Sequence, residues 1–167
     1  IPMVFPPYPG HSEFDIYATM DTAKEVGGDF YDFYFVGENK LGFLIADVSG
    51  KGIPAAMFMM TAKTIIKGYA ESGKPIDEVF TIANAKLCES NEAGMFVTAW
   101  MGVLDITTGK IEFANAGHNP PLVRHADGTF EYLKSRPGFI LAGMEGMKYR
   151  KNELVLSAGD EIYLYTD

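Results

Sequence analysis

The sequence contains little cysteine, few cationic residues and no long apolar run, and each shortage excludes a class of protein. The single cysteine, Cys88, excludes a disulfide-stabilised scaffold and fits a reducing compartment such as the cytoplasm. With 14 Lys and Arg against 22 Asp and Glu, the net charge of −8 argues against general nucleic-acid binding. No apolar run approaches the roughly 20 residues that span a bilayer, so we expect no membrane contact by this domain.

The length of 167 residues, without a long linker or an internal repeat, predicts one domain spanning residues 1–167. Its last residue, Asp167, follows directly on an apolar strand-like run. We therefore expect the domain to be truncated at its C-terminal end and to belong to a longer chain.

Apolar periodicity predicts strands on both sides of a pair of helices. Alternating or continuously apolar runs, typical of strands, occupy 14–20, 29–36, 41–48, 95–104, 110–116, 121–125, 129–133, 154–156 and 161–166. Helices are predicted to begin near Pro54 and Pro75, because proline is tolerated in a first turn. Strands, helices and further strands joined by tight turns favour an antiparallel α+β fold.

The helix from Pro54 to about Ala70 is apolar almost all round. This pattern is typical of an interior helix, so we expect it to be sandwiched between layers. The residues assigned to the core, including the single tryptophan, are Met57, Met59, Met60 and Trp100.

Three aspartates stand where a negative charge is costly. Asp47 and Asp167 end apolar strands, and Asp29 opens an aromatic strand after two glycines. An ionised carboxylate in such surroundings is unfavourable unless it is paired or binds a metal. The chain has only three Arg, none of them adjacent to these acids, which favours oxygen ligation of Mg²⁺ or Mn²⁺. The alternative is that each aspartate caps a turn or ends a solvated strand.

Asp32 lies three residues after Asp29 in the same predicted strand. Side chains alternate between the faces of a regular strand, so the two carboxylates should point to opposite sides of the sheet. We therefore assign Asp29 to the candidate metal site and a structural role to Asp32.

Four motifs follow one another along the chain: GGDFYD at 27–32, ADVSGKG at 46–52, AGHNPP at 116–121 and LYTD at 164–167. On these residues the sequence resembles the bacterial PPM-type (PP2C-like) serine/threonine phosphatases of the SpoIIE/RsbU group. The resemblance covers about residues 4–167, and MFVTA at 95–99 matches a fifth landmark of the family.

The resemblance implies a four-layer α-β-β-α sandwich of two antiparallel sheets flanked by helices. It also implies two divalent cations, Mn²⁺ or Mg²⁺, held by Asp29, Asp47, Asp167 and the backbone carbonyl of Val48. The nucleophile would be a water activated by these ions, so no catalytic side chain is expected. The family supplies a further metal-binding acid beyond the position of Asp167.

The implied activity is hydrolysis of protein phosphoserine or phosphothreonine. The implied substrate is a STAS-type anti-sigma-factor antagonist, and an N-terminal sensor domain is expected in the full chain. Three residues near the motif acids are candidates for a phosphate-binding or loop-stabilising role: Gly50, Lys51 and His118. For His118 the loop-stabilising role is favoured, because neither other histidine shows a metal-ligand spacing with it.

Other functions compete with the phosphatase. The main alternative is a catalytically weak or inactive PPM-fold docking or regulatory module. A P-loop is excluded, because position 45 is Ile where the motif needs Gly and Gly52 replaces the Ser or Thr after Lys51. A cyclase-like GGDEF site would predict GTP turnover, but Phe30 and Tyr31 depart from that motif. A cysteine-dependent phosphatase mechanism at Cys88 is disfavoured, because the sequence around Cys88 has no basic loop that would stabilise a thiolate.

Overall fold

The computed structural model describes residues 14 and 28–167. The strand predicted at 14–20 therefore lies outside the described residues, except for Phe14. The Phe14 ring contacts Phe35, with 6.2 Å between the ring centroids.

Eight strands and two helices form the described part of the chain. The strands are β1 Asp29–Gly37, β2 Lys40–Val48, β3 Val97–Asp105, β4 Lys110–Ala116, β5 Leu122–Arg124, β6 Phe130–Tyr132, β7 Asn152–Val155 and β8 Glu161–Tyr163. The helices are α1 Gly52–Glu71 and α2 Ile76–Glu89. Each predicted strand and helix in the described residues is confirmed, with bounds that move by a few residues. Neither helix here has the length and apolarity needed to cross a membrane.

The strands form two antiparallel sheets. The larger has the order β1-β2-β3-β4-β7 and the smaller the order β6-β5-β8. Two hairpin turns close by backbone hydrogen bonds, from Gly109 N–H to the Asp105 carbonyl over 2.9 Å and from Gly128 N–H to the His125 carbonyl over 2.9 Å. The antiparallel α+β class is confirmed.

The two faces of the five-stranded sheet bury different clusters. Both helices pack on one face, where small residues such as Ala62 on α1 and Ala99 on β3 allow close approach. The opposite face packs against the three-stranded sheet through a cluster centred on Trp100, Ile111 and Phe113. The core prediction for Trp100 is confirmed, since its side chain is fully buried.

The prediction that α1 is sandwiched between layers is wrong. Met57 is 67% exposed and Met60 is 55% exposed, while Met59 is partly buried against the core. In the described residues α1 contacts β1, β2 and α2, so only one side of this helix is covered. The sequence of α1 did not show which side is covered, because apolar residues lie all round the helix. The covered side is filled by residues such as Ala and Phe at helical spacing, and the apolar residues on the other side are left exposed.

A candidate metal and phosphate site at one end of the sheet

A row of polar side chains crosses the end of the five-stranded sheet. Asp29 on β1 lies directly across from Asp47 on β2, and Asp47 lies directly across from Thr98 on β3. Residues paired in this way share a face. Asp47 follows Phe43 and Ile45 at two-residue spacing, and both of those pack in the cluster between the sheets. The row therefore faces the space between the two sheets.

The C-terminal segment brings the third predicted acid to the same place. The Thr166 hydroxyl donates to Asp29 Oδ2 over 2.9 Å, which fixes the residue next to Asp167. A cleft of about 160 Å³ opens here, and its lining residues are Asp47, Thr98, Gly117, His118, Asn119 and Asp167. Residues from β2, β3, the loop after β4 and the chain beyond β8 thus meet in one cleft.

The electrostatics of the cleft disfavour a third bare negative charge. Burial raises the pKa of Asp47 to about 7, with further contributions from a hydrogen bond with the Asp29 carboxyl group and from the charges of Asp29 and Asp167. Among the described residues, none of the observed ion pairs involves these three acids. No cationic side chain among the described residues is paired with these carboxylates, and a bound divalent ion would relieve their mutual repulsion.

The donor chemistry of the cleft fits a hard cation. Carboxylate and carbonyl oxygens are the ligands that Mg²⁺ and Mn²⁺ prefer. Within residues 14 and 28–167, however, no group of three or more His, Cys, Asp or Glu side chains is already arranged around one ion position. The ligands that the structure brings together are the pair Asp29 and Asp47, with Asp167 close enough to act on Asp47 through its charge.

Val48, the predicted carbonyl ligand, packs against the start of β1. Its backbone N–H donates to the Gly28 carbonyl over 3.2 Å, and its side chain is buried. A Cβ atom at Gly28 would lie 2.6 Å from the Val48 carbonyl oxygen. The glycine that precedes Asp29 is therefore needed for this close approach of the two strands.

We expect Gly28→Ala to destabilise the protein by about 1–3 kcal/mol, the usual cost of overpacking. Because the added methyl group displaces the Val48 carbonyl, Mn²⁺ affinity should fall with it. Urea unfolding and calorimetric Mn²⁺ titration measure the two effects. Gly68→Ala is the matched control: Gly68 is exposed in α1, and beyond the neighbouring helix backbone no atom lies within 4 Å of an added Cβ. That control should gain about 0.5–1 kcal/mol. Wild-type Mn²⁺ affinity in Gly28→Ala would contradict a ligand role for Val48.

Of the three residues predicted to bind phosphate or stabilise a loop, only His118 lines the cleft. Gly50 and Lys51 lie in the loop between β2 and α1, where Gly50 adopts a positive φ of 93° and Lys51 is exposed. Neither residue lines the cleft. His118 does line it, in the loop after β4. Asp32 lies on the opposite face of β1 from Asp29, across from Leu44 in the helix-side core, as its spacing predicted.

Two hydroxyl residues of this site were missed at the sequence level. Thr98 completes the row beside Asp47, and Thr166 hydrogen-bonds Asp29. Both lie inside motifs that the sequence shows, at 95–99 and 164–167. A threonine in a strand is a common β-former, so its type alone gave no signal for a site.

Comparisons with known proteins identify related sequences and folds. The family model described as Stage II sporulation protein E (SpoIIE) matches residues 37–167. Phosphoserine phosphatase RsbU of Bacillus subtilis (strain 168) is 31% identical over 160 residues, which cover 95% of this chain and 47% of RsbU. The chain spans less than half of the length of three curated relatives that it matches, RsbU among them.

Solved structures share the fold. The crystal structure of the RsbU and RsbW domains of Rv1364c from Mycobacterium tuberculosis matches with a TM-score of 0.74 at 28% identity, over 87% of this chain and 39% of that chain. RsbX in complex with magnesium matches with a TM-score of 0.69 at 16% identity, over 87% of this chain and 69% of RsbX. At that identity the RsbX match shows the fold alone.

Proposed function

The chain belongs to the SpoIIE family of PP2C-like phosphatase domains, and from this premise we propose that it is a metal-dependent protein serine/threonine phosphatase. The observation that carries the proposal is the pairing of Asp29 with Asp47 at the cleft, with Asp167 nearby and no cation paired to them among the described residues. Curated relatives RsbU and RsbP carry the name phosphoserine phosphatase, which supports the same chemistry.

The chain's own oxygen atoms supply the metal ligands in this proposal. The carboxylates of Asp29, Asp47 and Asp167 and the Val48 carbonyl would hold two divalent cations, Mn²⁺ or Mg²⁺. When bound, such cations lower the pKa of water and neutralise charge on phosphoryl oxygens. RsbX, which shares the fold, was solved in complex with magnesium, and this supports the choice of a divalent cation.

The other residues of the cleft orient these ligands and shape the phosphate site. The Thr98 hydroxyl is hydrogen-bonded to His118, which holds it beside Asp47 in the polar row. Asn119 lines the cleft and presents an amide that can contact a phosphoryl oxygen. Lys51 is exposed in the loop that follows Val48, where its charge can attract a phosphorylated substrate.

We further propose a phosphorylated STAS-type anti-sigma-factor antagonist as the substrate and a cytoplasmic location. The name phosphoserine phosphatase, which the relatives RsbU and RsbP carry, supports a phosphoserine substrate. The free Cys88 thiol fits a reducing compartment. An N-terminal sensor domain remains a prediction, as does the single-domain organisation of residues 1–167.

The proposal is tested with purified full-length protein and two phosphoserine substrates, a phosphorylated STAS protein and a phosphopeptide. We expect hydrolysis with Mn²⁺ or Mg²⁺ and a loss of at least about 100-fold in chelator, since the bound ion supplies several kcal/mol of charge stabilisation. Faster hydrolysis of the STAS protein than of the phosphopeptide would support the substrate. Metal-independent hydrolysis would contradict the mechanism.

The same experiment separates the rival functions. A docking or regulatory module predicts neither hydrolysis nor Mn²⁺ binding at millimolar concentration by calorimetry. A cyclase-like enzyme predicts turnover of GTP, and we expect none.

A further inference from the structure

The His118 ring connects two parts of the cleft that are distant in sequence. Its Nδ1 lies 3.0 Å from the Thr98 hydroxyl oxygen on β3, and its Nε2 lies 3.0 Å from the Tyr165 carbonyl oxygen. The side chain is only 8% exposed. Both ring nitrogens are therefore used, one toward the Asp47 row and the other toward the segment that carries Asp167.

The partners determine where the ring proton sits. A carbonyl oxygen only accepts hydrogen bonds, so Nε2 carries the ring proton and donates a hydrogen bond to the Tyr165 carbonyl oxygen. Nδ1 then accepts from the Thr98 hydroxyl. Burial lowers the pKa of His118, which agrees with a neutral ring. With both nitrogens engaged inside the protein, the imidazole has no free atom for a metal ion or for proton transfer to a substrate.

The backbone of His118 is fixed as well. The buried Asn115 side chain accepts a hydrogen bond from the His118 N–H over 2.8 Å and donates to the His118 carbonyl over 3.0 Å. The ring thus projects from an anchored position at the end of β4. Two contacts then hold the C-terminal segment, from His118 to the Tyr165 carbonyl and from the Thr166 hydroxyl to Asp29.

We infer that His118 is a positioning residue that sets the place of the Asp167 carboxylate opposite Asp29 and Asp47, and through it the affinity for divalent cations. Because Tyr165 precedes Asp167 by two residues, a shift of its carbonyl moves the acid directly. Residues that orient a metal ligand typically contribute 10–100-fold to metal affinity. This inference rests on the proposed function for its metal, while its readout does not require turnover.

The test uses the full-length protein and Mn²⁺ titrated by calorimetry in the absence of substrate. We expect His118→Ala to weaken Mn²⁺ binding by at least about tenfold. His118→Gln should recover part of that loss, because its amide can still donate to the Tyr165 carbonyl. Thr98→Val should weaken binding less than His118→Ala, and Thr98→Ser, which keeps the hydroxyl, should match the wild type.

Thermal unfolding in chelator separates positioning from folding. If His118→Ala lowers the unfolding midpoint but binds Mn²⁺ with wild-type affinity, the inference is overturned, and a wild-type protein that binds no Mn²⁺ overturns it too. A wild-type protein that binds Mn²⁺ in a His118-dependent manner but releases no phosphate from phosphoserine supports the inference and contradicts the proposed function.

Discussion

Replacing Asp47 with asparagine is expected to lower kcat/KM for a phosphoserine substrate by about 1,000-fold. Asp47 is the middle residue of the polar row, paired with Asp29 on one side and Thr98 on the other. A bound ion contributes several kcal/mol to transition-state stabilisation, and each 1.4 kcal/mol corresponds to a factor of ten in rate. Asparagine keeps the size of the side chain and removes the charge, so the loss would report metal binding. Steady-state kinetics at saturating Mn²⁺ measure it.

The same substitution should stabilise the protein when metal is absent. At pH 8, above the raised pKa of Asp47, three carboxylates carry like charges in one cleft. Removing one charge relieves this repulsion, so the unfolding midpoint of Asp47→Asn in chelator should exceed that of the wild type. Added Mn²⁺ should raise the midpoint of the wild type and leave that of the variant nearly unchanged, because a ligand stabilises only the state that binds it.

Asp32→Asn is the matched control for this experiment. Asp32 is an acid on the same strand as Asp29, but it lies across from Leu44 on the helix side of the sheet. Burial raises the pKa of Asp32, while the charges of Lys63 and Lys67 act in the opposite direction. We expect this variant to keep wild-type Mn²⁺ affinity whatever its stability. Equal losses of metal affinity in the two variants, or full activity in Asp47→Asn, would rule out Asp47 as the central ligand.

The faces of the strands could be predicted from the sequence because strand periodicity is a local property. Two-residue alternation separated Asp29 from Asp32, and the structure places them on opposite faces of β1. The strand from Lys40 to Val48 is covered on both faces, so its apolar run was nearly continuous. The end of that run gave the position of Asp47. The local pattern was sufficient to predict the face on which a site residue lies, because that face depends only on the strand that carries the residue.

Contacts between distant segments could not be predicted in the same way. The register that pairs Asp29 with Asp47 depends on the whole β1–β2 hairpin. The contact of His118 with Tyr165 joins residues 47 apart and depends on how the two sheets pack. Asn84 is fully buried on the apolar face of α2, where it accepts a hydrogen bond from the Ala142 N–H over 2.8 Å. A polar residue at such a position gains its role from a partner that the helix sequence does not contain.

Replacing Trp100 with alanine is expected to cost about 3–5 kcal/mol of the free energy of unfolding. Trp100 is fully buried between the sheets, with ring centroids 5.2 Å from Phe113 and 5.6 Å from Phe43. Its loss leaves a cavity that the neighbouring strands can close only in part. Trp100 also lies two residues from Thr98 on the same face of β3, so Mn²⁺ affinity should fall in this variant.

Trp100→Phe separates the loss of the ring from the loss of its N–H group. In the described part of the chain, Trp100 Nε1 is buried without a hydrogen-bond partner, an arrangement that costs about 1–3 kcal/mol. Phenylalanine keeps an aromatic contact and removes the unpaired N–H donor. Removing that donor is favourable and offsets much of the energetic cost of the small cavity that the substitution leaves. We therefore expect a cost below about 1.5 kcal/mol and wild-type Mn²⁺ affinity. Because Trp100 is the only tryptophan, unfolding in urea is followed by far-ultraviolet circular dichroism. A cost for Trp100→Phe equal to that for Trp100→Ala would show that Nε1 has a partner in solution, such as a buried water.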